Sequence, residues 1–249
     1  MENKWADTAN HLADIASDLA KQFFRKPLRP SFKIDGSSVS QADLVIEQAM
    51  RSYLETHHPR DGILGEEYHN RKSESGYTWV LDPIDGTNSF LSGKPSFCTL
   101  IALLQDDKPL LGLISQPILD ERWLGIRGSR SLFNGEPIPK LAPPLENKIR
   151  FSSTTPQMFK TAEEICMYQK ALAKSAICTY GGDAYAYGLL ASGFIDLILE
   201  ADLAFYDVAA LVPIIEGVGG KITDWQGQAI LQSTFKGQVL ACRTLLNIL

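Results

Sequence analysis

The sequence is poor in the residues that build disulfide and zinc sites. Its 249 residues include only four cysteines, Cys98, Cys166, Cys178 and Cys242. None of them forms a CxxC pair or a cluster with histidine, as a zinc site requires. The sequence therefore predicts buried thiols in a reducing cytosol, and we expect a cytoplasmic protein.

Long apolar runs and an excess of positive charge are also missing. No stretch is apolar for long enough to span a bilayer, and residues 1–20 lack the basic start and apolar centre of a signal peptide. The formal net charge of −5 provides no basic field for nucleic acid or anionic lipid. We expect neither nucleic acid nor membrane among the partners.

Motifs of other phosphate-handling classes are absent as well. No GxxxxGK[ST] string occurs, which excludes a P-loop NTPase. None of the four histidines stands in a phosphate loop or at a metal-ligand spacing. Aspartyl-phosphate enzymes usually have one residue between two aspartates, whereas two residues separate Asp82 from Asp85.

Hydrophobic periodicity divides the chain into two halves. Residues 1–140 mix two predicted helices with meandering strands, which indicates an N-terminal α+β half. Residues 141–147 have the composition of a linker, and residues 148–249 alternate strands with helices in a C-terminal α/β half. The helices predicted there cover residues 158–173, 184–191 and 208–216.

The most informative stretch is WVLDPIDGT, residues 79–87. A buried strand, predicted over residues 78–81, precedes Asp82 and Asp85, and Gly86 is typical of a turn leaving that strand. Two aspartates at a strand end, beside a turn that opens a helix, place a hard-oxygen cation site next to an anion site. That combination suits Mg²⁺-assisted phosphate chemistry.

These residues also have structural interpretations. Asp82 and Asp85 could be turn acids, and the Thr87 hydroxyl could cap a helix. The backbone N–H groups of Gly86 and Thr87 could equally bind phosphate oxygens, and one residue can serve both purposes.

Two further acidic positions accompany this motif. Glu66 and Glu67 follow a short strand predicted over residues 62–65. If that strand neighbours the one ending at Asp82, Glu66 and Asp82 can meet at one metal. Asp207 opens a predicted apolar helix, a position where the helix dipole favours an acid even without a metal.

Taken together, the strings resemble the inositol monophosphatase superfamily of Mg²⁺-dependent, lithium-sensitive phosphatases. The matching strings are GEE at 65–67, DPIDGT at 82–87, YDVAA at 206–210 and EGVGGK at 216–221. The resemblance implies a layered αβαβα sandwich, a homodimer and a phosphomonoester hydrolase in which a metal-activated water attacks phosphorus.

The resemblance also implies a metal site for two or three Mg²⁺ ions. The first ion would be held by Glu66, Asp82 and the Ile84 carbonyl, and the second by Asp82, Asp85 and Asp207. Asp43 would help to place a third, weaker ion.

Catalytic and substrate-binding residues follow from the same resemblance. Thr87 would orient the attacking water together with Glu66 or Asp43. The expected substrate contacts are Gly86, Thr87, Asp85, Asp183, Glu200 and Asp207.

Asp43 is where the resemblance is weakest. The family often has Asp-x-Val-Thr where this chain has SSVS at residues 37–40, so a serine replaces the carboxylate. Ser40 followed by Asp43 also resembles a capping box, and helix capping is the alternative role for Asp43.

Two stretches resemble the histidinol-phosphatase branch of the superfamily, NSFLSGKP at 88–95 and YGGDAYAY at 180–187. Histidinol phosphate carries an amine and an imidazole, which an acidic pocket containing Asp183 and Glu200 would attract. The alternative role for Asp183 is a helix cap.

Other substrates and roles remain as alternatives. An inositol-1-monophosphatase or a broad-specificity sugar phosphatase would use the same metal site. A 3′,5′-bisphosphate nucleotidase usually has DPLDGT instead of DPIDGT, and a non-catalytic scaffold would have lost one of the core residues, all of which are present.

Overall fold

A computed structural model describes residues 2–27, 31–32, 38–140 and 148–243. The predicted linker at 141–147 lies outside the described residues. The helices are α1 (Glu2–Phe23), α2 (Gln41–His57), α3 (Thr87–Leu91), α4 (Ala162–Ala173), α5 (Asp183–Ala191), α6 (Phe205–Val208) and α7 (Leu211–Gly217). None of these helices is long and apolar enough to cross a membrane.

The strands form two large sheets and one small hairpin. The hairpin pairs β1 (Ser31–Phe32) with β2 (Ser38–Val39). The first large sheet has the order β3-β4-β5-β6-β7-β8-β9, and the second has the order β11-β10-β12-β14-β13. Strands of the first sheet are β3 (Gly62–Gly65), β4 (Tyr77–Asp85), β5 (Cys98–Gln105), β6 (Lys108–Gln116), β7 (Glu121–Ile126), β8 (Leu132–Phe133) and β9 (Glu136–Pro137). Strands of the second sheet are β10 (Ile149–Ser153), β11 (Ser175–Tyr180), β12 (Leu197–Glu200), β13 (Lys221–Thr223) and β14 (Val239–Cys242).

Helices and sheets alternate in five layers, as the predicted αβαβα sandwich requires. Apolar residues of α1 and α2 cover one face of the first sheet. Residues of α5 and α7 fill the space between its other face and the second sheet. The outer face of the second sheet packs against α4 through residues such as Phe151 and Ala171. Burial of these apolar faces is the main stabilising contribution to the arrangement.

The two strands that lead into the acidic motifs are neighbours. β3 pairs in parallel with β4, with Gly65 opposite Leu81. Since Gly65 pairs with Leu81, the residues that come next, Glu66 after β3 and Asp82 within β4, lie side by side. The condition that the sequence set for a shared metal site is therefore met.

Three local predictions were wrong. Asp82 and Asp85 do not follow a strand that stops at residue 81, because β4 continues to Asp85 with a register shift between the two aspartates. The helix predicted over 208–216 is divided into α6 and α7. The helix predicted over 158–173 begins at Ala162, because Thr161 and Glu164 form a capping box there.

The four cysteines are free thiols, as expected. Cys98 and Cys242 are buried, whereas Cys178 is partly buried and Cys166 is exposed on α4. The prediction of buried thiols is therefore wrong for Cys166. Its position on the outer helix of the sandwich explains the exposure.

Candidate active site

Three carboxylates meet at the edge of the first sheet. One oxygen from each of Asp82, Asp85 and Asp207 lies within 4.8 Å of the others. β4 supplies the two aspartates of the DPIDGT string, and the bulge between them lets both side chains point the same way. Asp207 arrives from α6, where its Oδ2 also accepts the Ala204 N–H at 2.8 Å.

The chemistry of this donor set fits a divalent cation. Asp82 is 1% exposed, and its Oδ1 is a buried oxygen with no hydrogen-bond partner among the described residues. Burial raises the pKa of Asp82 well above its usual range, and the charges of Glu66 and Asp85 raise it further. A bound cation would remove both penalties, and oxygen-only ligands are those that Mg²⁺ prefers.

Thr87 connects this cluster to α2. Its Oγ1 lies 3.1 Å from the Ile84 carbonyl oxygen and 3.3 Å from Asp43 Oδ1. The hydroxyl has a single proton, so it donates to one of these oxygens at a time. The Ile84 carbonyl, an expected metal ligand, therefore lies directly beside the expected water-orienting group.

Asp43 has the capping role that the sequence offered, and its other carboxylate oxygen is directed at Thr87. Its Oδ2 accepts the Ser40 N–H at 2.8 Å and the Ser40 hydroxyl at 2.6 Å, which completes the capping box of α2. Its Oδ1 is directed at Thr87, and burial raises its pKa. Asp43 stands behind Thr87 and is not among the residues that line the cavity.

Gly86 provides the close approach that an anion site needs. It has φ +84° and precedes α3 as its N-terminal cap. A Cβ atom there would lie 2.9 Å from Asp183 Oδ2, so any other residue would collide with that carboxylate. Gly86 and Thr87 both line the cavity.

Asp183 lies in the same cavity, as its predicted role requires. It has φ +44°, which is uncommon outside glycine, and its Oδ2 accepts the Ser89 hydroxyl at 3.3 Å. The capping alternative does not describe the structure: α5 has no side-chain cap of its own, and the Ala184 N–H donates to Asp85 Oδ2 at 2.5 Å. Burial raises the pKa of Asp183, while Ser89 and the charge of Lys94 oppose that shift.

Glu200 is held at the end of β12 by two partners that the sequence did not reveal. Its Oε1 accepts the N–H and the hydroxyl of Thr154 at 2.9 and 2.6 Å, and its Oε2 accepts the Tyr187 hydroxyl at 2.8 Å. Burial raises the pKa of Glu200 to about 7. No motif marks Thr154, and the YGGDAYAY string that ends in Tyr187 does not indicate a bond to Glu200, because both contacts depend on how the second sheet packs.

These residues enclose a cavity of about 310 Å³. Among the described residues, those that line this cavity include six with carboxylates and no lysine, arginine or histidine. The carboxylates belong to Glu66, Asp82, Asp85, Asp183, Glu200 and Asp207.

The match to known families agrees with this geometry. A family model described as "Inositol monophosphatase family" matches residues 1–247. The chain belongs to the inositol monophosphatase family. Members of this family are phosphatases that hydrolyse phosphomonoesters, so the enzyme class that the sequence predicted is confirmed.

Curated relatives within the inositol monophosphatase family carry several names. The chain is 46% identical over 231 residues to the "Bifunctional phosphatase IMPL2, chloroplastic" of Arabidopsis thaliana, an alignment that covers 92% of this chain but only 66% of that relative. It is 33% identical over 228 residues to the histidinol-phosphatase of Mycobacterium tuberculosis, covering 88% of this chain and 86% of the relative.

A solved member of the family has the same fold. The inositol monophosphatase from Zymomonas mobilis superposes with a TM-score of 0.88 at 43% identity, covering 98% of this chain and 94% of the other. The layered fold expected from the sequence is thereby confirmed for nearly the whole chain.

Proposed function

We propose that this protein is a Mg²⁺-dependent phosphatase whose substrate is L-histidinol phosphate, an intermediate of histidine biosynthesis. The observation that carries the proposal is the position of Asp183 in the metal cavity, with its carboxylate beside Gly86 and Ser89. The name of the Mycobacterium tuberculosis relative supports the same substrate.

Charge balance supports a cationic leaving group. Two Mg²⁺ ions would compensate four of the six carboxylates that line the cavity, and the phosphate itself adds negative charge. An amine or imidazolium on the leaving group would offset the charge that remains near Asp183 and Glu200. A neutral inositol ring would leave it uncompensated.

The metal site would be formed by the residues that meet at the C-terminal end of β4. Asp82, with Glu66 and the Ile84 carbonyl, would hold one ion, and Asp82, Asp85 and Asp207 the other. Asp43 would help to hold a third, weaker ion. When bound, Mg²⁺ supplies positive charge that stabilises the phosphoryl oxygens and acidifies water.

The remaining steps depend on groups of the chain itself. The Thr87 hydroxyl would orient the attacking water together with Glu66, which also lines the cavity, or with Asp43, which is hydrogen-bonded to Thr87. The N–H groups of Gly86 and Thr87 would hold the phosphate, as free N–H groups at a helix start bind anions. Phosphate monoester hydrolysis depends on such charge stabilisation and positioning more than on a covalent nucleophile.

Phosphate release from a substrate panel tests the proposal. The panel contains L-histidinol phosphate, inositol 1-phosphate, fructose 1,6-bisphosphate and adenosine 3′,5′-bisphosphate, each with Mg²⁺. We expect the highest kcat/KM for L-histidinol phosphate. The similarity to the Zymomonas mobilis structure makes inositol 1-phosphate the second candidate, and a preference for it would remove the substrate assignment while leaving the metal site in place.

The organisation expected from the sequence forms part of the proposal. We infer a cytoplasmic homodimer in which residues 1–140 and 148–249 are the two halves. The first sheet falls within the former range and the second within the latter. Sedimentation equilibrium would show a single species of twice the chain mass.

A further inference from the structure

A buried charged face on α2 lies outside the cavity described above. Asp43, Glu47 and Arg51 are spaced four residues apart, which places them along one face of the helix. Glu47 is fully buried and Arg51 is 6% exposed, and Arg51 Nε donates to Glu47 Oε1 at 2.7 Å. Charged residues are rarely buried to this extent without a partner or a role.

Glu47 and Arg51 bind the backbone that follows the glutamate at the end of β3. Glu47 Oε2 accepts the Glu67 N–H at 2.8 Å, and its Oε1 accepts the Tyr68 N–H at 3.3 Å. Arg51 donates to the carbonyl oxygens of Tyr68 and His69, both at 3.1 Å. The segment 67–69 is therefore fixed by hydrogen bonds from two side chains of α2.

The same two side chains also constrain the backbone before that glutamate. A Cβ atom at Gly65 would lie 2.0 Å from Glu47 Oε1 and 2.5 Å from Arg51 Nη2. Only glycine allows the pair to approach so closely. Glu66 is thus bracketed, with Gly65 in contact with the pair on one side and Glu67 hydrogen-bonded to it on the other.

We propose that Glu47 and Arg51 are positioning residues that place the Glu66 carboxylate for Mg²⁺ binding. The proposal deepens the proposed function, because it depends on Glu66 being a metal ligand. Removal of a side chain that orients a metal ligand without touching the metal commonly lowers metal affinity or activity by 10- to 100-fold. Stability alone does not account for such a pair, since apolar residues of similar volume often replace a buried ion pair without loss.

The test compares two variants that each lose a buried arginine ion pair. The double variant Glu47→Met/Arg51→Met removes the clamp without leaving an unpaired buried charge. The control is Arg243→Met, which removes a side chain 10% exposed that donates to Asp196 at 2.7 Å, next to the ends of β12 and β14. Mg²⁺ affinity is obtained for each from the rise in Tm during a titration with Mg²⁺ alone, relative to the metal-free value of the same variant.

We expect the Kd for Mg²⁺ to increase by about 10- to 100-fold in the double variant and to stay unchanged in Arg243→Met. Phosphate release by the double variant should then recover as Mg²⁺ is raised, which a general loss of structure would not produce. Should the double variant fail to fold, Glu47→Gln is the second variant: it keeps the size of the side chain and one acceptor, and it leaves the Arg51 charge without its carboxylate just as Arg243→Met removes one partner of an ion pair.

An unchanged Mg²⁺ affinity in a folded double variant would overturn the positioning role. An equal loss in Arg243→Met would overturn it too, since any buried ion pair would then have the same effect. If the wild type binds Mg²⁺ but releases no phosphate from the panel, the proposed function fails, while the affinities of the two variants still decide the role of the pair. A wild type that does not bind Mg²⁺ would overturn both.

Discussion

The backbone N–H of Ala184 donates a 2.5 Å hydrogen bond to Asp85 Oδ2, across 99 positions of sequence. Asp85 is thereby the acceptor for the first turn of α5 and at the same time a member of the acidic cluster. Asp183 immediately precedes Ala184, so the residue expected to select the substrate and a residue expected to hold Mg²⁺ share one hydrogen-bonded unit.

Replacing Asp85 by asparagine should nearly abolish turnover while leaving the fold intact. The variant loses a charge and a metal ligand, but its amide oxygen can still accept the Ala184 N–H. We expect kcat at saturating Mg²⁺ to fall by at least about 100-fold, the scale of losing one group that stabilises the transition state. Steady-state kinetics measures turnover, and circular dichroism shows whether the fold is retained.

A matched control for that variant is Asp120→Asn. Asp120 is an exposed acid paired with Lys21, and its removal should leave kcat unchanged. Undiminished activity of the Asp85 variant at saturating Mg²⁺ would mean that Asp85 is not a metal ligand.

Replacing Asp183 should affect substrates according to their charge. Asparagine is a more informative substitution than alanine, because it keeps the size of the side chain and tolerates the positive φ. We expect KM for L-histidinol phosphate to rise on the order of tenfold, as the loss of a charged hydrogen bond predicts, and KM for inositol 1-phosphate to rise less. The alanine variant should show the same order of effects. Equal increases for both substrates would assign Asp183 a purely structural role.

Asp82→Asn should stabilise the metal-free protein. The substitution removes a buried charge that is repelled by Glu66 and Asp85 and has an unpartnered oxygen. We expect the metal-free Tm to rise by roughly 2–4 °C, which corresponds to about 1 kcal/mol in a chain of this size. Differential scanning fluorimetry with and without Mg²⁺ measures the effect.

The same variant should lose the increase in Tm that Mg²⁺ gives to the wild type. Substitutions in a binding site commonly raise stability while they lower function in this way. A lower metal-free Tm, or an undiminished response to Mg²⁺, would contradict the metal role of Asp82.

His58 should make stability depend on pH below neutrality. Its Nε2 lies 3.0 Å from Thr8 Oγ1, its side chain is 5% exposed, and burial lowers its pKa against the opposing charge of Asp61. A base whose pKa is lower in the folded state binds more protons when unfolded. The contribution of neutral His58 to the free energy of unfolding is therefore fully present above about pH 6.5 and is lost as the pH falls through that value.

Urea unfolding at pH 7.5 and 5.5 tests this linkage. The free energy of unfolding should decrease more in the wild type than in His58→Gln, with both measured without metal. Comparing the two proteins at each pH removes the contribution of other titrating groups. An identical decrease in both would show that His58 does not contribute.

The sequence predicts those parts of the site that local motifs determine. GEE, DPIDGT and DVAA give Glu66, Asp82, Asp85, Thr87 and Asp207, and all five line the same cavity. The parallel pairing of β3 with β4 accounts for Glu66 beside Asp82, because Gly65 lies opposite Leu81 and the next residue of each segment follows at the same level.

The rest depends on contacts between distant segments. Nothing in the local sequence indicates that Ser89 would donate to Asp183, or that Thr154 and Tyr187 would hold Glu200. The division between α6 and α7 was missed because both carry apolar residues in helical spacing. Similarly, periodicity cannot distinguish a strand that stops at residue 81 from one that continues through a bulge to Asp85.

The most direct test of the proposed metal and substrate sites is a crystal structure with Mg²⁺ and with phosphate and L-histidinol, the products of the proposed reaction. We expect Mg²⁺ about 2.0–2.1 Å from oxygens of Asp82, Asp85 and Asp207, with a nitrogen of histidinol within hydrogen-bond distance of Asp183. Mg²⁺ bound elsewhere, or histidinol nitrogens directed away from Asp183, would contradict this expectation.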